Sequence, residues 1–428
     1  MPLYTGNNLD NIINGSAGDD TLLGLGGNDQ LNGDAGNDSI EGGDGGDVIT
    51  AGDGADTVLG GDGADVINAG AGADTVLGGT GADTILGGSD DDSLDGGAGN
   101  DTINGEAGND TITGGTENDT ITGGTENDSL SGGDGTDYLE GNAGNDTLLG
   151  EAGNDSIYGN AGNDSVEGGD GADYLYDYEG NNIALGGAGN DTIYGAGLIE
   201  GGDDNDSLYY HNYAPYGNPA ATVNGGAGND YIAEWGSYTH GSVLDGGEGN
   251  DTINGSGYNE TILGASGNDS LNGQAGDDSI DGGDGNDTII GGTGNDSIAA
   301  GSGDDTITAG AGNDTIDGGD GSGDRALYSG TIDQYTVLRD GTDFLVFDNR
   351  GGTPDGADRV RNVETLVFSG GVEFQPTAAN TGTLQTGTTG GDALSGSAFG
   401  DQIDGGDGND TILGLGGNDI LNGQGGND

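Results

Sequence analysis

From Asn11 to Asp191 an acidic or amide residue stands at every ninth position, and two residues after each of these 21 anchors comes an aliphatic side chain. The aliphatic series runs Ile13, Leu22, Leu31, Ile40, Ile49, Val58 and onward to Ile193, with Ala184 its one member that is not Ile, Leu or Val. Between them lie polar residues and glycine, as in "GGAGNDTINGEAGNDTITGG" (96–115). Side chains of an extended strand alternate faces, so a short piece such as "DTI" turns only its aliphatic inward. The "GGxGx" that follows has to reverse the chain sharply, and glycine reaches positive φ without steric cost. Two nonapeptides then make one coil of strand, turn, strand, turn. Stacking the coils pairs each strand in parallel with the one 18 residues later, at roughly 4.8 Å. The predicted fold is all-β: a parallel β-roll, or β-solenoid, with two nonapeptides per coil.

The phase divides the chain. Residues 1–194 form a first roll, broken in identity between Asp20 and Asp191 only at Asn182. Residues 195–250 keep the motif at Asp206 and Asp230 but carry aromatic-rich insertions. A second block, 251–324, runs through Asp251, Glu260, Asp269, Asp278, Asp287, Asp296, Asp305 and Asp314. Residues 325–379 have no repeat; "YTVLRDGTDFLVF" reads as two strands across a D-G turn and "RVRNVETLVFSGGVEF" as two more. They predict a small sandwich-like or meander cap that shields the open edge of the last coil. A third, incomplete block fills 380–428, and Asp428 ends it at a sixth position whose aliphatic never arrives. That unfinished coil, with the uncapped start "MPLYTGNN", suggests head-to-tail self-association.

Composition alone points to disorder, with 104 glycines and a net charge of -72 in 428 residues. A phase held for twenty repeats in a chain only 30% hydrophobic overrides it. The charge also narrows the partners. With 77 acidic residues against five arginines and no lysine, the chain is repelled by phosphate backbones and anionic lipid, so nucleic acid is excluded as a partner. No run reaches the roughly 18 apolar residues of a membrane span, so no membrane insertion is expected. The N-terminus lacks the basic and apolar regions of a cleaved secretory signal. Without cysteine, the fold is not stapled by disulfides.

One aliphatic per nonapeptide is too little apolar burial to hold such a coil, and aspartates 18 residues apart align in like-charged columns. A hard divalent cation cross-links the columns and cancels their charge. Calcium takes 6 to 8 oxygens in flexible geometry from carboxylates and carbonyls alike. Magnesium demands stricter octahedra, and zinc or copper would want histidine or cysteine. Multiple calcium ions are therefore the expected cofactor.

"GGDGADVIN" (60–68) and "GGAGNDTIN" (96–104) resemble the glycine-rich nonapeptide of repeats-in-toxin (RTX), or haemolysin-type, proteins. The resemblance covers some three quarters of the chain. It implies a right-handed parallel β-roll that is largely unfolded without calcium and folds on secretion into a calcium-rich medium, outside or on the surface of a bacterium. It implies sixth-position ligands, helped by carbonyls of the preceding turn. In the first block these are Asp20, Asp29, Asp38, Asp47, Asp56, Asp65, Asp74, Asp83, Asp92, Asp101, Asp110, Asp119, Asp128, Asp137, Asp146, Asp155, Asp164, Asp173 and Asp191. Asp206 and Asp230 follow, then Asp251, Asp269, Asp278, Asp287, Asp296, Asp305 and Asp314, and finally Asp401, Asp410 and Asp419. Asp90, Glu117 and Glu126 replace the fourth-position glycine, and Asn182 and Glu260 replace the aspartate, which puts the sites at those turns in question.

Catalysis finds no support. There is no cysteine, no H-E-x-x-H and no G-x-S-x-G, and His211 and His240 stand 29 residues apart. The insertions offer an aromatic surface at Tyr209, Tyr210, Tyr213, Tyr216, Trp235 and Tyr238, suited to a polysaccharide or a protein partner, or to packing on the flank of the coil. Two functions follow: an extracellular calcium-binding structural protein of a surface layer, filament or adhesin stalk, or a non-catalytic module of a larger type I-secreted enzyme, toxin or adhesin, with the tyrosine loops binding carbohydrate.

Overall fold

A computed structural model describes residues 2–211, 220–234, 241–352, 354–377 and 381–428. The described residues through Ala227 form one compact unit and those from Gly228 onward a second.

The first unit is a parallel β-solenoid. Strand Thr84–Ser89 lies between Val66–Ala71 and Thr102–Ala107, with Ile85 in register with Ile67 and Ile103. The next strand, Ser93–Ala98, lies between Thr75–Thr80 and Thr111–Thr116 in the same way. Successive strands thus belong to alternate faces, and each pairs with the strand 18 residues on either side. Burial alternates as the pattern predicts: in Thr102–Ala107 the Ile103 side chain and Gly105 are buried while Thr102 is exposed. Ile49, Ile67, Ile85, Ile103 and Ile121 stack in the core, each no more than 1% exposed. Turns close tightly: Gly97 has φ 102°, and a Cβ there would run into the Gly79 carbonyl oxygen. At the fourth turn position Asp90, Glu117 and Glu126 take φ of 79°, 71° and 77°, so the turn survives loss of its glycine at the cost of left-handed strain. The period breaks once among the described coils before residue 211. Asp177 pairs with Gly195 and Asn182 with Gly197, so the ordinary turn residues 178–181 stand opposite Ala196 alone and the next coil is shortened.

The second unit repeats the scheme. Val243–Glu248 pairs with Thr261–Ser266, Thr252–Asn254 with Ser270–Asn272, and the stacking continues to Thr306–Ala311. Beyond it, Tyr335–Asp340 and Asp343–Asp348 form the predicted hairpin across Gly341. "RVRNVETLVFSGGVEF" holds three strands rather than two: Ala357–Arg361, Thr365–Phe368 and Val372–Phe374. The first two lie parallel on Thr315–Asp317 and Arg325–Leu327, so they prolong the solenoid, while the hairpin and Val372–Phe374, antiparallel to Thr365–Phe368, depart from it. Tyr328, Tyr335 and Phe368 fill the ground beneath, with ring centroids 5.1 to 5.5 Å apart. Strands Gly382–Thr386, Gln402–Asp404 and Ile420–Asn422 restore the 18-residue register. Among the described residues no helix is long and apolar enough to cross a membrane.

Candidate metal centres

Each sixth-position aspartate ends a turn and opens the next strand, where its side chain folds back under the turn instead of out to water. Asp20, Asp29, Asp38, Asp47, Asp56, Asp65, Asp74, Asp83, Asp92, Asp101, Asp110, Asp119, Asp128, Asp137, Asp146, Asp155, Asp164, Asp173 and Asp191 are all buried. They form two columns. In one, the backbone N–H of Asp29 donates to Asp47 Oδ1, that of Asp47 to Asp65 Oδ1 and that of Asp65 to Asp83 Oδ1, at 2.7 to 2.8 Å. In the other, Asp20 donates to Asp38, Asp38 to Asp56 and Asp56 to Asp74, each at 2.7 Å. Asn182 keeps a place in that second column, accepting the Asp164 N–H on its Oδ1 at 3.0 Å.

The other carboxylate oxygen has no such partner. From Asp29 through Asp191, Oδ2 of every sixth-position aspartate is buried and accepts no hydrogen bond. It faces another acceptor. The point where a Cβ would stand on Gly78 is 2.6 Å from both Asp83 Oδ2 and the Gly96 carbonyl oxygen, and at Gly87 it is 2.6 Å from Asp92 Oδ2 and 2.9 Å from the Gly105 carbonyl oxygen. Lone pairs thus converge on a cradle beside a glycine without a side chain, whereas Ala51, Ala69, Ala300 and Ala309 stand at that turn position before Asp56, Asp74, Asp305 and Asp314. Buried acceptors facing one another are costly unless a cation or a proton lies between them. The donors are all hard oxygens, charged on one side and dipolar on the other, which suits a hard divalent ion. Among the described residues no three acidic or histidine side chains cluster closely enough to hold a metal on their own, so a metal held here would need backbone carbonyls as well.

Electrostatics point the same way. Burial, opposed by the backbone hydrogen bond and assisted by neighbouring aspartates, lifts Asp65 to about 6 and Asp92, Asp119 and Asp128 to about 7. The columns are therefore poised to take up positive charge, as protons or as metal. In the second unit Asp251, Asp269, Asp278, Asp287, Asp296, Asp305 and Asp314 repeat the arrangement, each with a partnerless Oδ2. Asp230 joins them by donating its N–H to Asp251 Oδ1 at 2.8 Å. Asp206 accepts the Asp191 N–H at 2.8 Å across 15 residues rather than 18. In the last block Asp392 donates to Asp410, Asp401 to Asp419 and Asp410 to Asp428, and here Asp419 is only half buried.

The departures separate into two kinds. Around Asp90, Glu117 and Glu126 the geometry is intact, with Oδ2 of Asp92, Asp119 and Asp128 still aimed into the cradle. At Glu260 it is not: Ser256 donates its N–H to Oε2 and its hydroxyl to Oε1, so both oxygens are satisfied within the turn.

Three residues outside the repeat prolong the columns. Asp305 donates its N–H to Asp324 Oδ1 at 2.9 Å, Asp314 to Asp358 Oδ1 at 3.0 Å, and Asp324 to Glu364 Oε2 at 3.0 Å. The signal was present: Ala326, Val360 and Leu366 follow them at the same offset of two that marks every repeat. Of the arginines, Arg361 pairs with the roll, meeting Asp317 at 2.5 Å. Arg325, Arg350 and Arg359 pair with acids of their own segment, and Arg350 holds Asp348 down to about 2.

The aromatic surface takes a different form from the one expected. Tyr210 is fully buried and presents no surface to a partner, and Tyr209 stacks on Tyr194 with centroids 4.5 Å apart. Tyr213, Tyr216, Trp235 and Tyr238 lie outside the described residues. A tyrosine strip runs instead along the flank of the first unit. Tyr158, Tyr176 and Tyr194 are register neighbours, and Tyr138 and Tyr174 join them at 5.2 and 6.1 Å from Tyr158. A cavity of about 290 Å³ beside the strip is lined by Asn142, Asn160, Tyr176, Tyr178 and Glu179.

The model of the RTX calcium-binding nonapeptide repeat matches residues 5–197 almost end to end, then 221–233, 242–323 and 386–428. No curated protein matches the chain. Among solved structures, a hyperactive, Ca2+-dependent, β-helical antifreeze protein from an Antarctic bacterium aligns with 18% identity over 87% of this chain and 96% of that one, at a TM-score of 0.23. The fold rests on the strand register above and not on that superposition.

Proposed function

Because the chain belongs to the RTX family of calcium-binding nonapeptide-repeat proteins, we propose that it is an extracellular structural protein whose β-roll is folded and made rigid by calcium. The observation that carries this reading is the row of buried Oδ2 atoms without partners, many of them facing a carbonyl across a glycine, as at Gly78 and Gly87. One ion per cradle would bind the carboxylate of one turn to the carbonyls of the next and more than cancel the column's charge, the surplus offsetting the other acids of a chain with net charge -72. The ligands proposed are the sixth-position aspartates named above whose Oδ2 has no partner; Glu260 is excluded by its bonds to Ser256, and Asp20 and Asp401 likewise, because Ser16 and Ser397 bond their Oδ2. RTX repeats typify secreted bacterial proteins, and calcium at extracellular concentrations is what such a chain requires to fold. Stiffness along the stack suits a surface-layer, filament or stalk component. The same module would serve equally within a larger secreted enzyme, toxin or adhesin.

Far-UV circular dichroism during calcium titration, followed by chelation, tests the reading. Strand signal should rise cooperatively with calcium, fall on chelation, and fail to return with magnesium at the same concentration. A spectrum indifferent to chelator would refute it. Negative-stain images with calcium then separate fibres or sheets, which favour assembly, from discrete rods, which favour a module.

The tyrosine strip supports a second reading, binding of an uncharged polysaccharide. Aromatic walls with amide and carboxylate groups beside them suit sugar rings and hydroxyls, and the charge of -72 rejects acidic polymers. Affinity electrophoresis through neutral polysaccharides, with Tyr158→Ala and Tyr176→Ala as controls, tests it; equal migration of all three proteins would remove it.

A further inference from the structure

At Asn182 the repeat loses its sixth-position carboxylate, and five residues earlier it gains another where the first glycine of the turn should be, Asp177. Asp177 is 1% exposed, and neither of its carboxylate oxygens has a hydrogen-bond partner. Its side chain reaches back across the stack into the cradle of the preceding coil. The Cβ position of Gly159, which in regular coils faces one carboxylate and one carbonyl, is here 2.5 Å from Asp177 Cγ, 2.7 Å from Asp177 Oδ2 and 2.8 Å from Asp164 Oδ2. Asp164 Oδ2 is itself buried and without a partner. Three unpartnered carboxylate oxygens thus meet in one enclosed space, with no arginine in the unit to answer them.

We propose that Asp177 is a metal ligand that replaces the carboxylate lost at Asn182, completing a two-carboxylate cation site with Asp164 that the nonapeptide pattern does not assign. The two substitutions complement each other. Asn182 keeps the structural half of the lost aspartate, accepting the Asp164 N–H, and uses its amide to donate to the Asp177 carbonyl oxygen at 3.1 Å. Asp177 keeps the charged half, delivered from the other end of the turn. Location explains why charge matters here. In the next coil the turn shrinks to Gly195, Ala196 and Gly197 and has no sixth position, so no carboxylate stacks beyond Asn182 in this column. The site at Asp164 is the last of its column, and without the Asp177 carboxylate it would hold one carboxylate and the residue-177 carbonyl, which already accepts from the Asn182 amide. A hard divalent ion of calcium's class fits the all-oxygen donor set.

This inference rests on the calcium-binding reading above, and its test separates the two. Native mass spectrometry of the full chain in calcium counts ions for wild type, Asp177→Asn, Asp177→Gly and the double variant Asp177→Gly/Asn182→Asp. Asp177→Asn and Asp177→Gly should each carry one ion fewer than wild type, and the double variant, which restores the ordinary repeat, should regain it. The Asp177→Asn protein is nearly isosteric, so it reports even if Asp177→Gly misfolds. Equal ion counts for wild type and Asp177→Asn would overturn the inference and make Asp177 a buried neutral acid. No bound calcium in any of the proteins would instead overturn the functional reading itself.

Discussion

Asp83 donates its backbone N–H to Asp101 Oδ1 at 2.7 Å, while Asp101 Oδ2, buried beside it, accepts nothing. One side chain therefore has two separable tasks: its inner oxygen joins coils and its outer oxygen faces the cradle. Asp101→Asn preserves the first and abolishes the second, as Asn182 does naturally. It should fold in saturating calcium yet need several-fold more calcium to reach its midpoint. Asp101→Ala loses both and leaves the Asp83 N–H buried without an acceptor, a further cost of about 1 to 3 kcal/mol. Calcium titrations of the pair, followed by circular dichroism, check this ordering; coincident midpoints would contradict the division of labour.

Protons and calcium compete for the same oxygens, so the sign of the pH dependence should reverse with the metal. Burial lifts Asp65 to about 6 and Asp92 to about 7 from an ordinary value of 3.8. Without calcium the folded columns bind protons that the unfolded chain has already released, so this contribution is complete below about pH 4 and is lost as pH rises through 6 to 7. In chelator, strand signal at pH 5.5 should exceed that at pH 8. In limiting calcium the order should invert, because the ion needs ionised ligands. A spectrum that moves in the same direction under both conditions would count against shared occupancy.

Core burial sets a second scale. Ile112 is 1% exposed, and its neighbour Thr111 lies on the outer face. Ile112→Ala should cost about 2 to 5 kcal/mol, whereas Thr111→Ala should stay within about 0.5 kcal/mol. Because each coil touches only its neighbours, the loss should be local. Hydrogen exchange in calcium should show faster exchange over residues 94 to 130, with the remainder of the first unit unchanged.

Most of the fold was legible because one constraint repeats: an inward aliphatic two residues after an inward carboxylate. That offset gives strand, face and register together, and the pairing of Ile85 with Ile67 and Ile103 follows from it directly. The columns were legible for the same reason. What the pattern hid was any residue that serves the column without the regular turn. Asp358 and Glu364 keep the offset of two but lack the GGxGx turn, and Asp324 has that turn lengthened by one residue, Gly323, which shifts it out of phase. Their acceptor role requires only a side chain at the right height, whatever turn precedes it. The tyrosine strip was hidden differently. Tyr158, Tyr176 and Tyr194 are 18 residues apart, so they align only after two nonapeptides are recognised as one coil. The partnerless second oxygen is a fact of side-chain rotation that no spacing reveals.

Asp358 offers the sharpest test of whether the column continues beyond the repeats. It is buried, accepts the Asp314 N–H at 3.0 Å, and is lifted to about 8 chiefly by burial. If its work is to accept that hydrogen bond, the amide of Asp358→Asn does it equally well. Asp358→Ala leaves the Asp314 N–H buried and unsatisfied, and should be less stable than Asp358→Asn by about 1 to 3 kcal/mol in calcium. Denaturant melts of the two calcium-loaded variants measure the difference directly. Equal stabilities would mean that the strand Ala357–Arg361 is held by its packing on Thr315–Asp317 alone, and that the column ends at Asp314.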